Sequence, residues 1–586
     1  MNAASGIAVV ALTTILFGSA GQPAVAEPAA APADLILLNG RVYTVTADEP
    51  WVEAMAVRDG RILARGSDAD MTAWRGTDTQ VMDLGGRMVM PGIIDGHQHP
   101  VWGGIKELFE CNFPFTATPA EIAAIVTACV AAQPDNAWII GGQWTSNFFV
   151  DNKIPSPRRW LDEVSGGKAV ILADDSGHNR WANSRALELM GITKDSADPA
   201  GSKIGREPGG TEPNGILEEA ISLVKTTVPE WTLEQNMRGA AYALTAANRF
   251  GITGIKDASA DPTQVEAFYR LDQAEGLTAN VATALNASAH NNFDDDALRE
   301  YVRLRDQFAS PHVHTAFVKI FLDGVPTASR TAAMLEPYLP LHKGDPAVYG
   351  DLHLEPAQLA AAVTKLDKLG FTVKIHAAGD RSIRVALDAI AQARKTNGNS
   401  GLRHELAHAE FIADSDLPRF ASLDVVADFS PYIWFPSPIT DSIDGAVGKR
   451  SEPFFPARSL IDSGAPMLAG SDWPSAVPDM NPWTGMEALI TRSDPRGEYP
   501  GVSWQEQAIS LEQAIDMFTI SGAQALKLDH QTGSLAVGKS ADFIVLEDNL
   551  FEIAPSRISD TRVRMTFFEG KLVYVAADRD ANGVPD

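Results

Sequence analysis

The sequence predicts a (β/α)8 TIM barrel joined to a composite β-sandwich, and three observations predict it. Eight short apolar runs succeed one another through the middle of the chain, several separated by helical stretches. The two ends read differently, as alternating runs broken by Asn-Gly and Asp-Gly. Side chains that bind metals or protons recur where the middle runs end.

The elements follow in order. Residues 1–26 read as an export leader: an apolar run from Ile7 to Phe17, then Ala24-Val25-Ala26 ahead of Glu27. The run is short for a membrane span. Residues 34–90 carry the runs DLILLNGRVYTV, AMAVRDGRILARG and VMDLGGRMVM. Residues 530–577 answer with GSLAVGKSADFIVLE and VRMTFFEGKLVYV, so both ends are expected to build one β-sandwich domain. The barrel is expected over residues 91–529. Its strands are VMPGIID, then residues 251–259, 278–286, 314–324, 371–380, 404–412, 424–431 and 465–474. Residues 356–370 and 382–395 read as helices between strands. After the first strand comes a large insertion, residues 101–231, with its own strand candidates WIIGGQW and AVILADDSG. Residues 578–586 read as a polar tail. Its Asp578, Asp580, Asn582 and Gly583 look like half of a calcium loop without the closing Glu.

Composition narrows the function. A formal net charge of −27 leaves nothing to neutralise phosphates, which excludes a nucleic-acid partner. The only cysteines are Cys111 and Cys129, with no CxxC, so no thiolate zinc site is expected. A bridge between them and two free buried thiols are both consistent with the sequence. The expected partner is a small-molecule substrate. No membrane span is expected once the leader is removed, and assembly into a homo-oligomer is left open.

The stretch PGIIDGHQHP places His97 and His99 at i and i+2, on one face of a strand end. Lys319 lies in the fourth strand, His376 in the fifth, His408 in the sixth, and Asp472 follows the eighth. The C-terminal strand ends of such a barrel meet at one mouth. Each residue alone has an ordinary structural explanation, and His404 competes with His408 for the same face. Their joint placement is what points to a metal centre.

These motifs, PGIIDGHQH, VKIFLDG, IHAAGDRSI, RHELAHAEF, LAGSDWP and GHNRWANSRAL, resemble the metal-dependent amidohydrolase superfamily. The match is to its amidohydrolase family 3 branch of YtcJ-like proteins, which includes N-substituted formamide deformylases. The resemblance implies that His97 and His99 hold one metal and that His376 and His408 hold a second. It implies that Lys319, carboxylated by CO2, bridges the two. Asp472 would touch a metal and shuttle the proton as the catalytic residue. Many members of the branch carry Glu where this chain has Ala407.

Imidazole and carboxylate donors without thiols suit Zn2+, as one or two ions. The expected activity is that of a periplasmic or secreted hydrolase. It would use metal-activated hydroxide to cleave an amide-type, non-peptide C–N bond in a small, N-substituted substrate. An ester or lactone hydrolase or a deaminase on the same scaffold is the alternative, and a catalytically silent binding or regulatory protein is the alternative of another class. The insertion is expected to cover the substrate, with Trp144, His178, Asn179 and Asn183 in contact and Trp434 and Trp473 as an apolar wall.

Overall fold

Alternation along each barrel strand sorts its side chains. In TVKIH, Val373 and Ile375 join the apolar core shared with the surrounding helices, while inside the barrel Lys374 pairs with Glu405 and Asp428 and the His376 ring meets that of His408. The same rule points Val318 and Ile320 outward and Lys319 inward. The computed structural model describes residues 31–577 except 115, 146, 175–176, 200–201, 220, 225–226, 288–292 and 476. The expected leader and tail lie outside the described residues.

Eight parallel strands follow one another in chain order in one sheet. They are Ile93–Gln98, Ile252–Ala260, Asn280–Ala287, Val313–Phe321, Thr372–Ala377, Glu405–His408, Val426–Phe429 and Met467–Ala469. The sheet curls into a nearly closed (β/α)8 barrel. The segment after the eighth strand joins it to the first: Asp472 N donates to His97 O at 2.7 Å, and His99 N to Trp473 O at 2.8 Å. Gly470 permits this seam, because a Cβ there would stand 2.3 Å from His97 N.

Helices follow where the sequence supplies their starts and stripes. Asp380–Asn397 buries Ile383, Ala386, Leu387, Ile390 and Ala393, spaced three and four apart, and ends before Gly398 at φ +80°. Each such Ile or Leu contributes about 1.5–3 kcal/mol by burial, so Ile390→Ala would cost about 2–5 kcal/mol. Pro262–Gln273 begins at a capping box made by Asp261 and Gln264.

Both ends of the chain build the sandwich. One sheet orders Arg61–Gly66, Ala54–Arg58, Leu35–Leu38 and Gln80–Asp83. The other orders Lys571–Val575, Val563–Phe568, Phe543–Leu546, Met88–Pro91, Arg41–Tyr43 and Trp51–Val52. Leu37, Met55, Val89, Phe543 and Val545 pack between them. Asp59-Gly60 turns a true hairpin, with φ +50° and +73°. Asn39-Gly40 does not: the strands it separates enter different sheets. The first barrel strand is likewise shorter than VMPGIID suggests, because Met88–Pro91 pairs with Phe543–Leu546 instead.

The insertion forms its own six-stranded mixed sheet, ordered Lys203–Arg206, Pro213–Glu218, Arg180–Ala182, Ala169–Asp174, Trp138–Trp144 and Cys111–Asn112. Cys111 and Cys129 are joined in a disulfide, their Cα atoms 5.8 Å apart, which ties the edge strand to the helix Pro119–Ala132. Among the described residues no helix is long and apolar enough to cross a membrane.

Candidate active site

Four histidines and an aspartate gather at the C-terminal end of the barrel. The His97 and His408 rings lie 5.0 Å apart, those of His376 and His408 4.5 Å, and those of His97 and His99 5.8 Å. Asp472 Oδ1 stands 3.5 Å from His97 Nε2 and 3.2 Å from His99 Nε2. One donor atom each from His97, His408 and Asp472 falls within 4.8 Å of the others. Lys319 is buried beside them, its Nζ 4.9 Å from the centre of the Phe321 ring. The fold thus brings together all six residues proposed as ligands.

The donor set fits a cation. His97 Nδ1 donates to Asp428 Oδ2 at 2.6 Å, which leaves the lone pair on Nε2. That Nε2 and Asp472 Oδ1 are both buried, face each other, and have no hydrogen-bond partner. Two electron-rich atoms opposed without a proton between them are relieved by a metal ion. Burial holds His97, His376 and His408 well below the ordinary imidazole value, so all three present the neutral form that metals require. Lys319 is pushed down to about 7, first by burial and then by Lys374. Among the described residues it makes no ion pair with a carboxylate.

Strain marks two of these positions. His408 has φ +73° and Asp472 φ +58°, the left-handed region that side chains avoid. The backbone is held there by Ala409 N to Ala377 O at 3.2 Å, and by the seam bond from Asp472 N.

Beneath the site runs a charge network that mid-strand lysines and acids alone do not reveal in sequence. Lys374 Nζ pairs with Asp428, with Glu405 Oε2 at 2.9 Å, and with the Gly96 carbonyl at 3.3 Å. Lys256 pairs with Glu405 and donates to Ala525 O at 2.8 Å. All four side chains are essentially inaccessible. Burial opposes the charge on Lys374, but Asp428 and Glu405 outweigh it and raise its pKa. Burial lowers Lys256 to about 8. Second, Asp323 of VKIFLDG accepts from Ala333 N, Ala378 N, Gly379 N and Ser382 Oγ, which pins the loops beyond the fourth and fifth strands. His404, the rival of His408, is engaged elsewhere: it accepts from Val373 N through Nδ1 and meets Asp367 at 3.1 Å through Nε2.

A cavity of about 320 Å³ opens over the site, with His99, Lys319, His376, His408 and Asp472 in its wall. Of the expected insertion contacts, His178 lines it, its ring 5.3 Å from that of His376. Glu219 Oε2 takes a hydrogen bond from His178 Nδ1 at 2.9 Å. Burial opposes protonation of His178, but Glu219 outweighs it and raises the pKa. Asn179 stands behind, its Oδ1 accepting from Glu219 N and its Nδ2 bonded to Asp174. The other four expected contacts are placed off the cavity wall. Trp144 is packed inside the insertion, with its indole N–H on Leu172 O. Asn183 caps the helix Ser184–Leu189. Trp434 is fully buried, stacked on Phe455 and under the Arg492 guanidinium. Trp473 is buried against Gly103. Aromatic and Asn side chains serve packing and capping as readily as binding, and these do so.

Barrel, convergent imidazoles and unpartnered donor atoms together define a metal-dependent hydrolase. A model of the amidohydrolase family matches residues 80–574, and the chain belongs to that family. The protein LONG AFTER FAR-RED 3 of Arabidopsis thaliana is 31% identical over 559 residues, covering 93% of this chain and 92% of its own. An N-substituted formamide deformylase of Arthrobacter pascens is 26% identical, covering 92% of this chain and 98% of its own. Among solved structures, an uncharacterized metal-dependent hydrolase from Pyrococcus horikoshii superposes with a TM-score of 0.68 at 22% identity, covering 89% of this chain and 99% of that one.

Proposed function

We propose that the protein hydrolyses an amide-type C–N bond, other than a peptide bond, in a small N-substituted substrate. The observation that carries this reading is the pair of opposed, unpartnered atoms His97 Nε2 and Asp472 Oδ1, the first fully buried and the second on a residue that lines the cavity. The resemblance to a formamide deformylase along nearly the whole chain supports the choice of bond.

His97, His99, His376, His408 and Asp472 would hold the metal, with Lys319 joining them as a carbamate. When bound, the ion supplies a water of pKa about 7 and polarises the substrate carbonyl. Asp472 accepts the proton of the attacking water on its carboxylate and delivers it to the departing nitrogen. Asp428 fixes the His97 ring through Nδ1, so that Nε2 stays a lone-pair donor. Phe321, Ile433, Ile439 and Ile443 give the cavity apolar surface. Burial of Lys319 favours its neutral amine, the form that combines with CO2.

Zinc is the ion that the nitrogen and oxygen donors suit. Zinc-loaded protein should release amine from N-formyl and N-acyl amines. Turnover confined to esters or lactones, or release of ammonia from aminated rings, would replace the amide reading with the corresponding one. Carbon-13 NMR after equilibration with labelled CO2 should show one carbamate signal that Lys319→Ala removes. Its absence from active protein would leave a centre held by the histidines and Asp472. Export is part of the proposal and is supported by the Cys111–Cys129 bridge, which persists in oxidising compartments. Mature protein should begin at or near Glu27, and intact leader on cytoplasmic protein would overturn this.

A further inference from the structure

The strand Arg180–Ala182 of the insertion brings one more charge to the cavity. Arg180 lines the same 320 Å³ space as Lys319, His408 and Asp472. Its Nη1 donates to the Gly177 carbonyl at 2.7 Å and the Asn179 carbonyl at 2.9 Å. Those are its only hydrogen bonds among the described residues, so Nη2 and Nε remain unused. No carboxylate oxygen of the described residues forms an ion pair with it. Two carboxylates, Asp174 and then Glu110, act on its charge from beyond ion-pair distance, and Asp174 accepts from Asn179 N at 3.1 Å and from its Nδ2 at 2.6 Å. Burial lowers the pKa of Arg180, which measures how poorly this environment solvates its charge.

A half-buried guanidinium without an ion pair is an expensive feature to keep. It is also built in place. The Asp174–Asn179 bonds brace the turn that carries it, and Trp181 beside it is fully buried, with its indole N–H on Pro157 O. The two free N–H edges form the planar fork that matches a carboxylate. The same cavity has an apolar surface of Phe321, Ile433, Ile439 and Ile443. In a chain of net charge −27, such a fork gives an anion its local attraction.

We infer that Arg180 is a specificity-determining residue, and that the substrate is an amide carrying a carboxylate on its apolar N-substituent, bound by the Arg180 guanidinium while the amide carbonyl reaches the metal centre. This rests on the amide-hydrolase reading and names its substrate class.

The test compares two amides that differ only in that group, N-formylphenylalanine (both enantiomers) and N-formyl-2-phenylethylamine, on zinc-loaded full-length protein. For wild type, kcat/KM should be at least 100-fold higher for one enantiomer of the acid than for the uncharged amide. Arg180→Gln should remove most of that preference through KM, and leave the uncharged amide within threefold. Arg180→Lys should restore part of it. Equal wild-type turnover of acid and uncharged amide, a comparison that needs no variant, would overturn the inference. So would equal losses on both substrates in a folded, metal-replete Arg180→Gln. If neither amide is hydrolysed, the amide reading fails for this class and calorimetry decides the carboxylate site. N-formylphenylalanine should then bind wild type at least tenfold more tightly than Arg180→Gln, and equal affinity would reject the role of Arg180.

Discussion

Asp428→Asn should damage both stability and metal binding, by separable amounts. In the wild type, two buried cations, Lys256 and Lys374, face two buried carboxylates, Glu405 and Asp428. The substitution keeps the shape and removes one negative charge. Lys374 is then left to share Glu405 with Lys256, and one positive charge inside the barrel has no partner. Breaking such a buried pair costs about 3–5 kcal/mol. His97 Nδ1 also loses its charged acceptor, and losing a partner of this kind weakens metal affinity by about 10–100-fold. Urea unfolding of metal-free protein measures the first effect, and titration against a competing chelator measures the second. The double variant Asp428→Asn, Lys374→Met separates them. It restores charge balance and should recover at least half of the lost stability, while metal affinity stays low because His97 still lacks its carboxylate. A single variant within about 1 kcal/mol of wild type in stability, with metal affinity within about twofold, would refute this account of the network.

Asp472→Asn should retain bound metal but lose at least about 100-fold in kcat, because an amide oxygen coordinates weakly and accepts no proton. Turnover within about tenfold would remove it from proton transfer. Gly324→Ala places a Cβ 2.2 Å from Thr331 Oγ1 and 2.4 Å from Glu219 Oε1. It should cost about 1–3 kcal/mol by overpacking; unchanged thermal unfolding would refute the crowding. His312 is raised to about 9, first by its bond to Glu569 and further by Asp272, against the opposing effect of burial. A raised histidine stabilises fully below its unfolded value of about 6.5, and that stability is lost as pH rises through 9. The difference in unfolding free energy between wild type and His312→Gln should therefore be about 2 kcal/mol near pH 6, after discounting for partial exposure, and vanish near pH 10. A difference independent of pH would refute the linkage.

Much of this was legible from one sequence. Strand runs bounded by turn residues located the barrel, because interior strands alternate between helix-facing and lumen-facing side chains. His97, His99, His376, His408 and Asp472 stood out because they fall at strand ends that the topology makes converge. The network under them did not stand out. His97 and Asp428 are 331 residues apart, and Lys256 and Glu405 149. A lysine or acid in mid-strand reads as an edge or surface residue until closure sets it opposite its partner. The aromatic side chains Trp144, Trp434 and Trp473 were indistinguishable from ligand contacts for the opposite reason, since their chemistry suits a packed core equally well. Asn39-Gly40 shows a third limit. Local turn chemistry specifies a bend, and which sheet receives the next strand depends on what comes to pair with it from the far end of the chain.

That far pairing sets an order of events for folding. Arg61 reaches the Gly538 carbonyl across 477 residues of chain, and Met88–Pro91 finds its neighbour only in Phe543–Leu546. During synthesis, Met88–Pro91 lacks this neighbour until nearly the last residues emerge, while the strands within residues 35–83 and those of the barrel can pair among themselves. The sandwich is thus the last unit to close, and its early half is the segment most exposed to self-association in any chain that stops short of residue 543.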